Sequence, residues 1–434
     1  MTAELSYGTA VRGHRRSKVS LRVPVDSLPH PLHVVPYRTP MDTPFDTIIH
    51  VRALAFAITA PYLGMESLPN RHEDRHPAEP ASRDRQRLAP IGRAALPPTH
   101  RGTSTVESPD RPHEVRSRKA DKVASAAGSD AGTTAVVTGA FGYSGHHIAQ
   151  LLLRRGVHVR TLTNHPVRQM DGTRIEVHSL DFLDERRLRA ALRGASVMYN
   201  TYWIRFAEGP AGHERAVANS KVLIDAALAE GVGHFVHVSI ANADQAPSLS
   251  YYRGKAAVEE HLRGSGLAFS IVRPTLLYGH GDILLNNIAW FLRHLPVFGI
   301  PGDGDYAIQP VFVEDYADLI VEIGQRASSG TEIDAVGPDT YTFSELVALL
   351  RGAVSSRCVV MNVPPRLARG AANLVGRALR DTVLSGEEID GLMAGLLVSR
   401  GAPTCSTQFE AWLAAAKGGL GHKYASELAR RVRL

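Results

Sequence analysis

The sequence predicts an α/β fold: a doubly wound parallel sheet with a smaller, mainly helical C-terminal lobe and a disordered N-terminal segment. Two observations predict it. Short apolar strands alternate with amphipathic helices from about residue 133 to 275, a pattern typical of strand–helix–strand units in a parallel sheet. A glycine-rich segment, residues 138–145, lies between the first strand and the first helix, where such folds turn sharply.

The first 122 residues differ in composition from the rest. They hold 15 of the 26 prolines, and with 19 Lys and Arg against 13 Asp and Glu they carry the whole net charge of +6. Charged runs such as 83–87 cannot bury enough apolar area to offset the entropy of ordering. We therefore predict that residues 1–131 are mostly disordered or non-globular. A dispensable tail or upstream sequence from a misplaced start codon is favoured over a basic interaction arm or a transit peptide.

Composition also argues against several classes of protein. Residues 123–434 hold 30 basic and 30 acidic residues, which does not indicate a nucleic-acid-binding body. Cys358 and Cys405 are far apart and show neither a disulfide framework nor metal-ligand spacing. No apolar stretch is long enough for a transmembrane helix, and the start has no secretory signal pattern. We expect a cytoplasmic protein with no metal, no transmembrane segment and no nucleic-acid partner.

The elements of the sheet are predicted in chain order. The first strand, 134–138, leads through the glycine loop into a helix over 146–155, whose Ile148, Leu151 and Leu152 form an apolar face. Gly156 suits the end of that helix. The remaining strands and helices are predicted at 157–163, 175–180, 185–192, 196–200, 214–230, 234–239, 252–264 and 269–273.

After about residue 275 the alternation ends. A helix is predicted at 285–294, a strand at 311–313 and a helix at 314–325, and a capping box from Thr342 to Glu345 opens a further helix. Residues 281–434 are predicted to form a C-terminal lobe, interleaved with the sheet and beside its carboxyl edge. Open α/β folds bind ligands at that edge, so we expect a small-molecule substrate there. The oligomeric state is left open.

The glycine loop predicts a dinucleotide site. Gly139, Gly142 and Gly145 follow a strand and open a helix. One glycine permits the tight turn, another lets backbone N–H groups approach a pyrophosphate, and the third allows close packing of helix on strand, while the helix N-terminus supplies partial positive charge. Phe141 and Tyr143 of the same loop are candidate cofactor contacts. We therefore predict that residues 132–280 form a Rossmann-type domain that binds NAD or NADP.

The second strand bears on the choice between the two cofactors. Where an acidic residue would hold the ribose 2′-hydroxyl of NAD, the chain has Thr163, Asn164 and His165, with Arg160 and Arg168 nearby. A missing acid and available arginines favour NADP. His165 and Arg168 could equally face solvent as loop residues. Thr163 is a candidate cofactor contact.

Ser239, Tyr251 and Lys255 suit proton transfer coupled to hydride transfer. Ser239 ends a strand, and Tyr251 and Lys255, four residues apart, share one face of the next helix. A nearby ammonium favours the phenolate form of a tyrosine, and a serine hydroxyl can hydrogen-bond the reacting oxygen. Tyr252 lies three residues from Lys255 and does not fit the pattern.

With these motifs in place, the sequence resembles the short-chain dehydrogenase/reductase superfamily, in its extended or atypical branch of NAD-dependent epimerase/dehydratase-like proteins. The resemblance covers residues 133–434, and segment 283–304 is similar to the subgroup near the reductase-like accessory subunit of respiratory complex I. It implies that Gly139, Gly142 and Gly145 bind pyrophosphate and that the acid of the pair Asp181–Phe182 contacts adenine.

The resemblance also implies roles in catalysis. Tyr251 becomes the acid/base, Lys255 also holds the nicotinamide ribose, Ser239 completes the set, and Asn219 supports a proton relay. Two departures, Ile240 after Ser239 and the bulky loop 200–203, disfavour a nucleotide-sugar substrate. The aromatic loop indicates either a less polar ligand or a packed lid.

We therefore predict an NAD(P)-dependent oxidoreductase or epimerase/dehydratase that acts on a secondary alcohol or carbonyl. The alternative is a non-catalytic NAD(P)-binding sensor or assembly protein. The intact set of Ser239, Tyr251 and Lys255 favours the enzyme, because a sensor does not need it.

Overall fold

The computed structural model describes residues 2–7, 19–24, 133–164, 175–205, 210–326 and 328–428. The chain divides into two compact units, Met1–Asp46 and Thr47–Leu434. In the first, strands β1 (Thr2–Tyr7) and β2 (Val19–Pro24) pair antiparallel. Both strands lie in the segment for which the sequence predicts disorder. The rest of that segment, apart from these strands, lies outside the described residues.

The elements of the second unit follow the predicted alternation of strands and helices as far as Pro274. In chain order they are β3 (Thr134–Thr138), α1 (Tyr143–Arg154), β4 (His158–Thr163), β5 (Glu176–Ser179), α2 (Glu185–Leu192), β6 (Val197–Asn200), α3 (Pro210–Ala229), β7 (His234–Val238), α4 (Ser250–Arg263), β8 (Phe269–Pro274), β9 (Leu276–Tyr278), α5 (Leu284–His294), β10 (Val297–Pro301), β11 (Ala307–Ile308), β12 (Pro310–Phe312), α6 (Val313–Gln325), β13 (Thr331–Ala335), β14 (Tyr341–Thr342), α7 (Phe343–Ala353), β15 (Val359–Val363), α8 (Pro365–Leu379), α9 (Gly386–Met393) and α10 (Phe409–Ala416).

Seven of these strands form one parallel sheet in the order β13-β8-β7-β6-β3-β4-β5. This confirms the predicted doubly wound parallel sheet. The chain starts at the central strand β3, runs outward to β5, and then returns to β6 on the other side of β3. Ligands of such sheets bind outside the carboxyl ends of the strands where the order reverses, which here are the ends of β3 and β6.

Helices cover both faces of the sheet, as burial of a parallel sheet requires. Helices α1 and α6 cover one face, with Val137 and Ile148 in its core. Helices α2, α3 and α4 cover the other, with Val136 and Leu223 in its core. Val136 and Val137 are consecutive, so their side chains point to opposite faces of the sheet. Both are fully buried, because helices cover both faces.

The C-terminal lobe has its own core, in which Tyr278, Leu346 and Phe409 are buried. The predicted capping box is confirmed: Thr342 accepts from the N–H of Glu345, whose carboxylate accepts from the N–H of Thr342. The lobe also contains a parallel pair, β10 with β15, and an antiparallel pair, β11 with β14, which the sequence did not predict. These strands span two to five residues, too few for a clear periodicity.

Across the described part of the chain, none of the helices has the length and apolar content that crossing a bilayer demands.

Candidate active site

The glycine loop forms a tight cradle at the carboxyl end of β3. Gly139 has a φ of +65° and donates a 3.1 Å hydrogen bond to the carbonyl of Leu162. A Cβ on Gly145 would collide with the carbonyl oxygen of Gly139, so only glycine lets α1 approach so closely. Helix α1 begins at Tyr143 and has no side-chain cap at Gly142. The cradle and the uncapped helix N-terminus fit a pyrophosphate group.

The loop after β6 is bonded to the end of β3. The backbone N–H of Thr201 donates to Oγ1 of Thr138 at 2.8 Å, and Oγ1 of Thr201 donates to the carbonyl of Thr138 at 2.5 Å. These bonds place residues 202 and 203, the bulky part of this loop, beside the crevice where the strand order reverses.

Other predicted cofactor contacts line the same edge of the sheet. Asp181 follows β5 and accepts a 2.9 Å hydrogen bond from the N–H of Leu183. The Phe182 ring lies 5.0 Å from that of Tyr202. Thr163, at the end of β4, is buried. In the glycine loop, Phe141 is buried and the Tyr143 ring lies edge-on to that of His147 at 5.6 Å.

One of the two arginines predicted near the second ribose is engaged by other protein groups. Arg160 is not available for a phosphate, because its guanidinium donates to Glu176 at 2.9 Å and to the carbonyl of Arg193 at 2.7 Å. His165 and Arg168 lie outside the described residues. Asn164 accepts a 3.5 Å hydrogen bond from Ser179.

Ser239, directly after β7, and Lys255, within α4, are both buried at the carboxyl edge of the sheet. The Lys255 ammonium donates a 2.9 Å hydrogen bond to the carbonyl of Val238 and lies 4.3 Å from the centre of the Trp203 ring. Burial lowers the pKa of Lys255 to about 7, with Glu259 acting in the opposite direction. Ser239 Oγ is buried and has no hydrogen-bond partner among the described residues, which suits a group that binds a substrate oxygen.

Tyr251 lies in an aromatic cluster. Its ring is edge-on to Trp203 and His213, each at 5.6 Å, and 5.7 Å from the Tyr252 ring. Burial raises the pKa of Tyr251 to about 12, and the cation that opposes this shift is Arg205. The spacing of Tyr251 and Lys255 in the sequence predicts Lys255 in that role, but the structure places Arg205 there.

Trp203 connects the predicted catalytic residues to one another. Besides Tyr251 and Lys255, it stacks on His213 with ring centres 6.0 Å apart. Its ring also lies against Gly254, where an added Cβ would come within 3.0 Å of the indole. The aromatic loop, residues 200–203, thus packs through Trp203 against helix α4, between Tyr251 and Lys255.

Asn219, predicted to support a proton relay, lies beside the same loop. Its side-chain amide donates a 2.8 Å hydrogen bond to the hydroxyl of Tyr202. The contact that the structure gives Asn219 is therefore with residue 202 of the aromatic loop.

His213 also belongs to this site, although no motif in the sequence predicts it. Ser250 Oγ lies 2.8 Å from the Glu387 carboxylate and 2.6 Å from Nδ1 of His213. Because the single hydroxyl proton of Ser250 goes to the carboxylate, Nδ1 must donate, and in the neutral ring Nε2 is the acceptor. That Nε2 atom is buried without a hydrogen-bond partner among the described residues.

The first turn of α9 also reaches this site from the C-terminal lobe. Glu387 accepts from the backbone N–H groups of Ser250 and Tyr251 at 3.2 and 3.3 Å, and so caps α4, which has no side-chain cap of its own. Burial opposes ionisation of Glu387, but the bond from the Ser250 hydroxyl and these two backbone bonds outweigh it and lower the pKa of Glu387. Glu388 accepts a 2.8 Å hydrogen bond from Arg205.

A cavity of about 440 Å³ opens beside these groups. Tyr251, His213 and Arg205 line it together with Glu387 and Glu388, and most of its remaining wall is aliphatic. Its size lies within the range of small-molecule sites. The predicted acid/base, Tyr251, thus lines a cavity whose other walls are mostly apolar side chains of the C-terminal lobe.

Similarity to known proteins identifies the family of this chain. A family model described as NAD(P)H-binding matches residues 139–283. The chain is 30% identical over 249 residues to ceramide reductase of Caulobacter vibrioides, covering 56% of this chain and 74% of that protein. The chain belongs to the extended short-chain dehydrogenase/reductase family. As a member of this family it has an NAD(P)-binding domain, and the family consists mostly of NAD(P)-dependent oxidoreductases and epimerases.

The chain has two further similarities. It is 25% identical over 267 residues to the 40 kDa subunit of mitochondrial NADH-ubiquinone oxidoreductase from Neurospora crassa, covering 60% of this chain and 70% of that protein. The structure of the NADPH-dependent quinone oxidoreductase of Escherichia coli, complexed with NADPH, shares its fold with a TM-score of 0.53 at 22% identity, covering 65% of this chain and 98% of that one.

Proposed function

We propose that this protein is an NAD(P)-dependent oxidoreductase that interconverts a carbonyl and a secondary alcohol, with Tyr251 as the acid/base. The observation that carries the proposal is the position of Tyr251, which lines the cavity at the same sheet edge as the glycine cradle. An epimerase or dehydratase of nucleotide sugars is disfavoured by the mostly aliphatic wall. When bound, the nicotinamide supplies or accepts the hydride.

In the reducing direction, the residues of the chain handle the proton. The carbonyl carbon gains the hydride, and the carbonyl oxygen takes the proton of the Tyr251 hydroxyl, which solvent then replaces. The raised pKa of Tyr251 keeps the phenol protonated at neutral pH, as a proton donor requires. Ser239 Oγ, buried and unpartnered among the described residues, is proposed to hold the same oxygen. Lys255 is proposed to bind the nicotinamide ribose.

The proposal favours NADP over NAD. The end of β4 offers Thr163 and Asn164, neither of which carries the carboxylate that would hold the ribose 2′-hydroxyl of NAD. Calorimetric titration with NADPH and NADH tests this preference, and tighter binding of NADH would contradict it. We retain the cytoplasm as the expected location.

The test of the enzyme is NAD(P)H oxidation with a panel of ketones, quinones and nucleotide sugars. We expect Tyr251→Phe to lower kcat about 10²- to 10⁴-fold, the usual contribution of a positioned acid. Tyr252→Phe is the matched control, since Tyr252 packs against Gly391, and it should retain turnover. Full turnover by Tyr251→Phe on a substrate of the wild type would refute the role of Tyr251.

A non-catalytic NAD(P)-binding protein is the second candidate. It is favoured by the contacts of Lys255, whose ammonium is held by Val238 and lies over Trp203. The relative from Neurospora crassa, a subunit of a larger enzyme, is consistent with a protein partner. Tight NADPH binding with no turnover across the panel, in both the wild type and Trp203→Ala, would favour this second candidate.

A further inference from the structure

The walls of the cavity beyond Tyr251 are built from aliphatic side chains of the C-terminal lobe. Helix α5, strands β10 and β15, and helices α8 and α9 contribute them, including Leu285, Ile288, Val297, Val363, Leu367 and Leu392. Apolar walls of this kind reject a polar group, because a buried polar group without a hydrogen bond is destabilising.

Two polar residues that line the cavity, Asp381 and Asn287, are already paired with protein groups. Asp381 accepts from Tyr424 and from the backbone N–H groups of Glu427 and Leu428. Asn287 donates to the carbonyl of Ala425 and accepts from its N–H. These side chains therefore add little hydrogen-bonding capacity for a ligand. By contrast, His213 Nε2, beside Tyr251, is buried and unpartnered among the described residues.

One face of helix α8 lines this space with mostly small side chains. Its five lining residues recur at helical spacing, and three of them are alanine: Leu367, Ala368, Ala371, Ala372 and Val375. Protein cores are close-packed, and unfilled apolar space destabilises a fold. Alanines over an apolar cavity are explained when a flexible apolar ligand occupies the room that larger side chains would fill.

We propose that the substrate carries a long aliphatic chain, which lies along α8 while the carbonyl or alcohol next to it reaches Tyr251. This inference rests on the proposed function for the reacting group. Binding of the ligand's aliphatic chain can nevertheless be measured separately from turnover. A planar aromatic ligand, such as a quinone without a side chain, is the competing occupant, and it would not respond to chain length.

The binding test uses secondary alcohols without any oxidised cofactor, so that no reaction occurs. For the full-length protein, calorimetry measures Kd for the series from 2-hexanol to 2-dodecanol. We expect Kd to fall about tenfold for each two added methylene groups, as burial of each group from water predicts. A Kd independent of chain length would overturn the proposal.

Two substitutions on α8 test where the aliphatic chain of the ligand binds. Ala371→Trp fills the cavity and should remove the dependence on chain length. Asn373→Trp, an exposed position of the same helix, introduces the same side chain outside the cavity and should preserve it. Equal effects of both variants would overturn the assignment to this cavity. If Ala371→Trp fails to fold, Ala372→Leu replaces it and should weaken binding of the longest alcohol selectively.

The outcomes for binding and for turnover are distinguishable. A chain-length dependence of Kd without NAD(P)H oxidation on the matching methyl ketones supports the chain site and contradicts the proposed enzyme. Oxidation of NAD(P)H by short or aromatic carbonyls, with a Kd independent of chain length, contradicts the chain site and leaves the enzyme standing.

Discussion

Lys255 Nζ lies 4.3 Å from the centre of the Trp203 ring and donates a 2.9 Å hydrogen bond to the carbonyl of Val238. Both contacts satisfy a buried ammonium that would otherwise be costly. The ammonium has three N–H donors, so one remains for the nicotinamide ribose that we propose it binds, and that ribose would then lie near Trp203. Trp203 is therefore placed to report on cofactor binding.

The first prediction concerns the fluorescence of Trp203. The chain has three tryptophans, so Trp290→Phe combined with Trp412→Phe leaves Trp203 as the sole emitter. We expect its emission to fall on titration with NADPH, because the nicotinamide end enters beside Lys255. Unchanged emission while calorimetry records binding would contradict this placement. The single variant Trp203→Phe shows how much of the wild-type signal belongs to the other two tryptophans.

The second prediction concerns the glycine cradle. Gly145→Ala places a Cβ against the carbonyl oxygen of Gly139, so α1 must move away from β3. We expect a loss of about 1–3 kcal/mol in the free energy of unfolding and weaker NADPH binding, measured by denaturant unfolding and calorimetry. Gly370→Ala in α8 is the matched control, since open space surrounds it. NADPH affinity equal to that of the wild type would show that the cradle does not hold the cofactor.

The third prediction concerns His213. Its Nε2, which has no hydrogen-bond partner among the described residues, can accept a hydrogen bond from a hydroxyl next to the reacting carbonyl. With His213→Phe, KM for 3-hydroxydecan-2-one should rise about tenfold, the value of one hydrogen bond, while KM for 2-decanone changes little. His261→Phe, at a histidine paired with Asp225 on the surface of α4, is the control. Equal changes for both ketones would mean that His213 acts only through packing.

The fourth prediction concerns pH and stability. Burial lowers the pKa of Lys255 from 10.5 to about 7, so between these values the unfolded chain binds more protons and stability rises with pH. Lys255→Met removes this titration. The variant's free energy of unfolding, minus that of the wild type, should therefore decrease as pH rises from 7 to 10.

The decrease can reach at most about 1.4 kcal/mol per pH unit. Urea unfolding at several pH values measures it, with Lys417→Met, at an exposed lysine, as the control for replacing lysine by methionine. A difference that stays constant or increases over this range would contradict a depressed pKa at Lys255.

The sequence alone determined the sheet, because its signals are local. Alternating apolar strands and amphipathic helices predicted six of the seven strands of the sheet, all but β13, and Gly139, Gly142 and Gly145 predicted the cradle. In each case the burial pattern or the backbone geometry depends on neighbours within a few residues. The capping box at Thr342 was predictable for the same reason.

Only the tertiary structure decided what surrounds Tyr251. Its helix is capped by Glu387, 136 residues away along the chain, and no local pattern records a contact across that distance. Folding also placed Trp203 against Lys255 and assembled the aliphatic cavity from α5, β10, β15, α8 and α9. The three glycines lie within one short segment, whereas a pocket depends on how distant segments pack. The motif of Tyr251 and Lys255 thus came from the sequence, and its surroundings came from the fold.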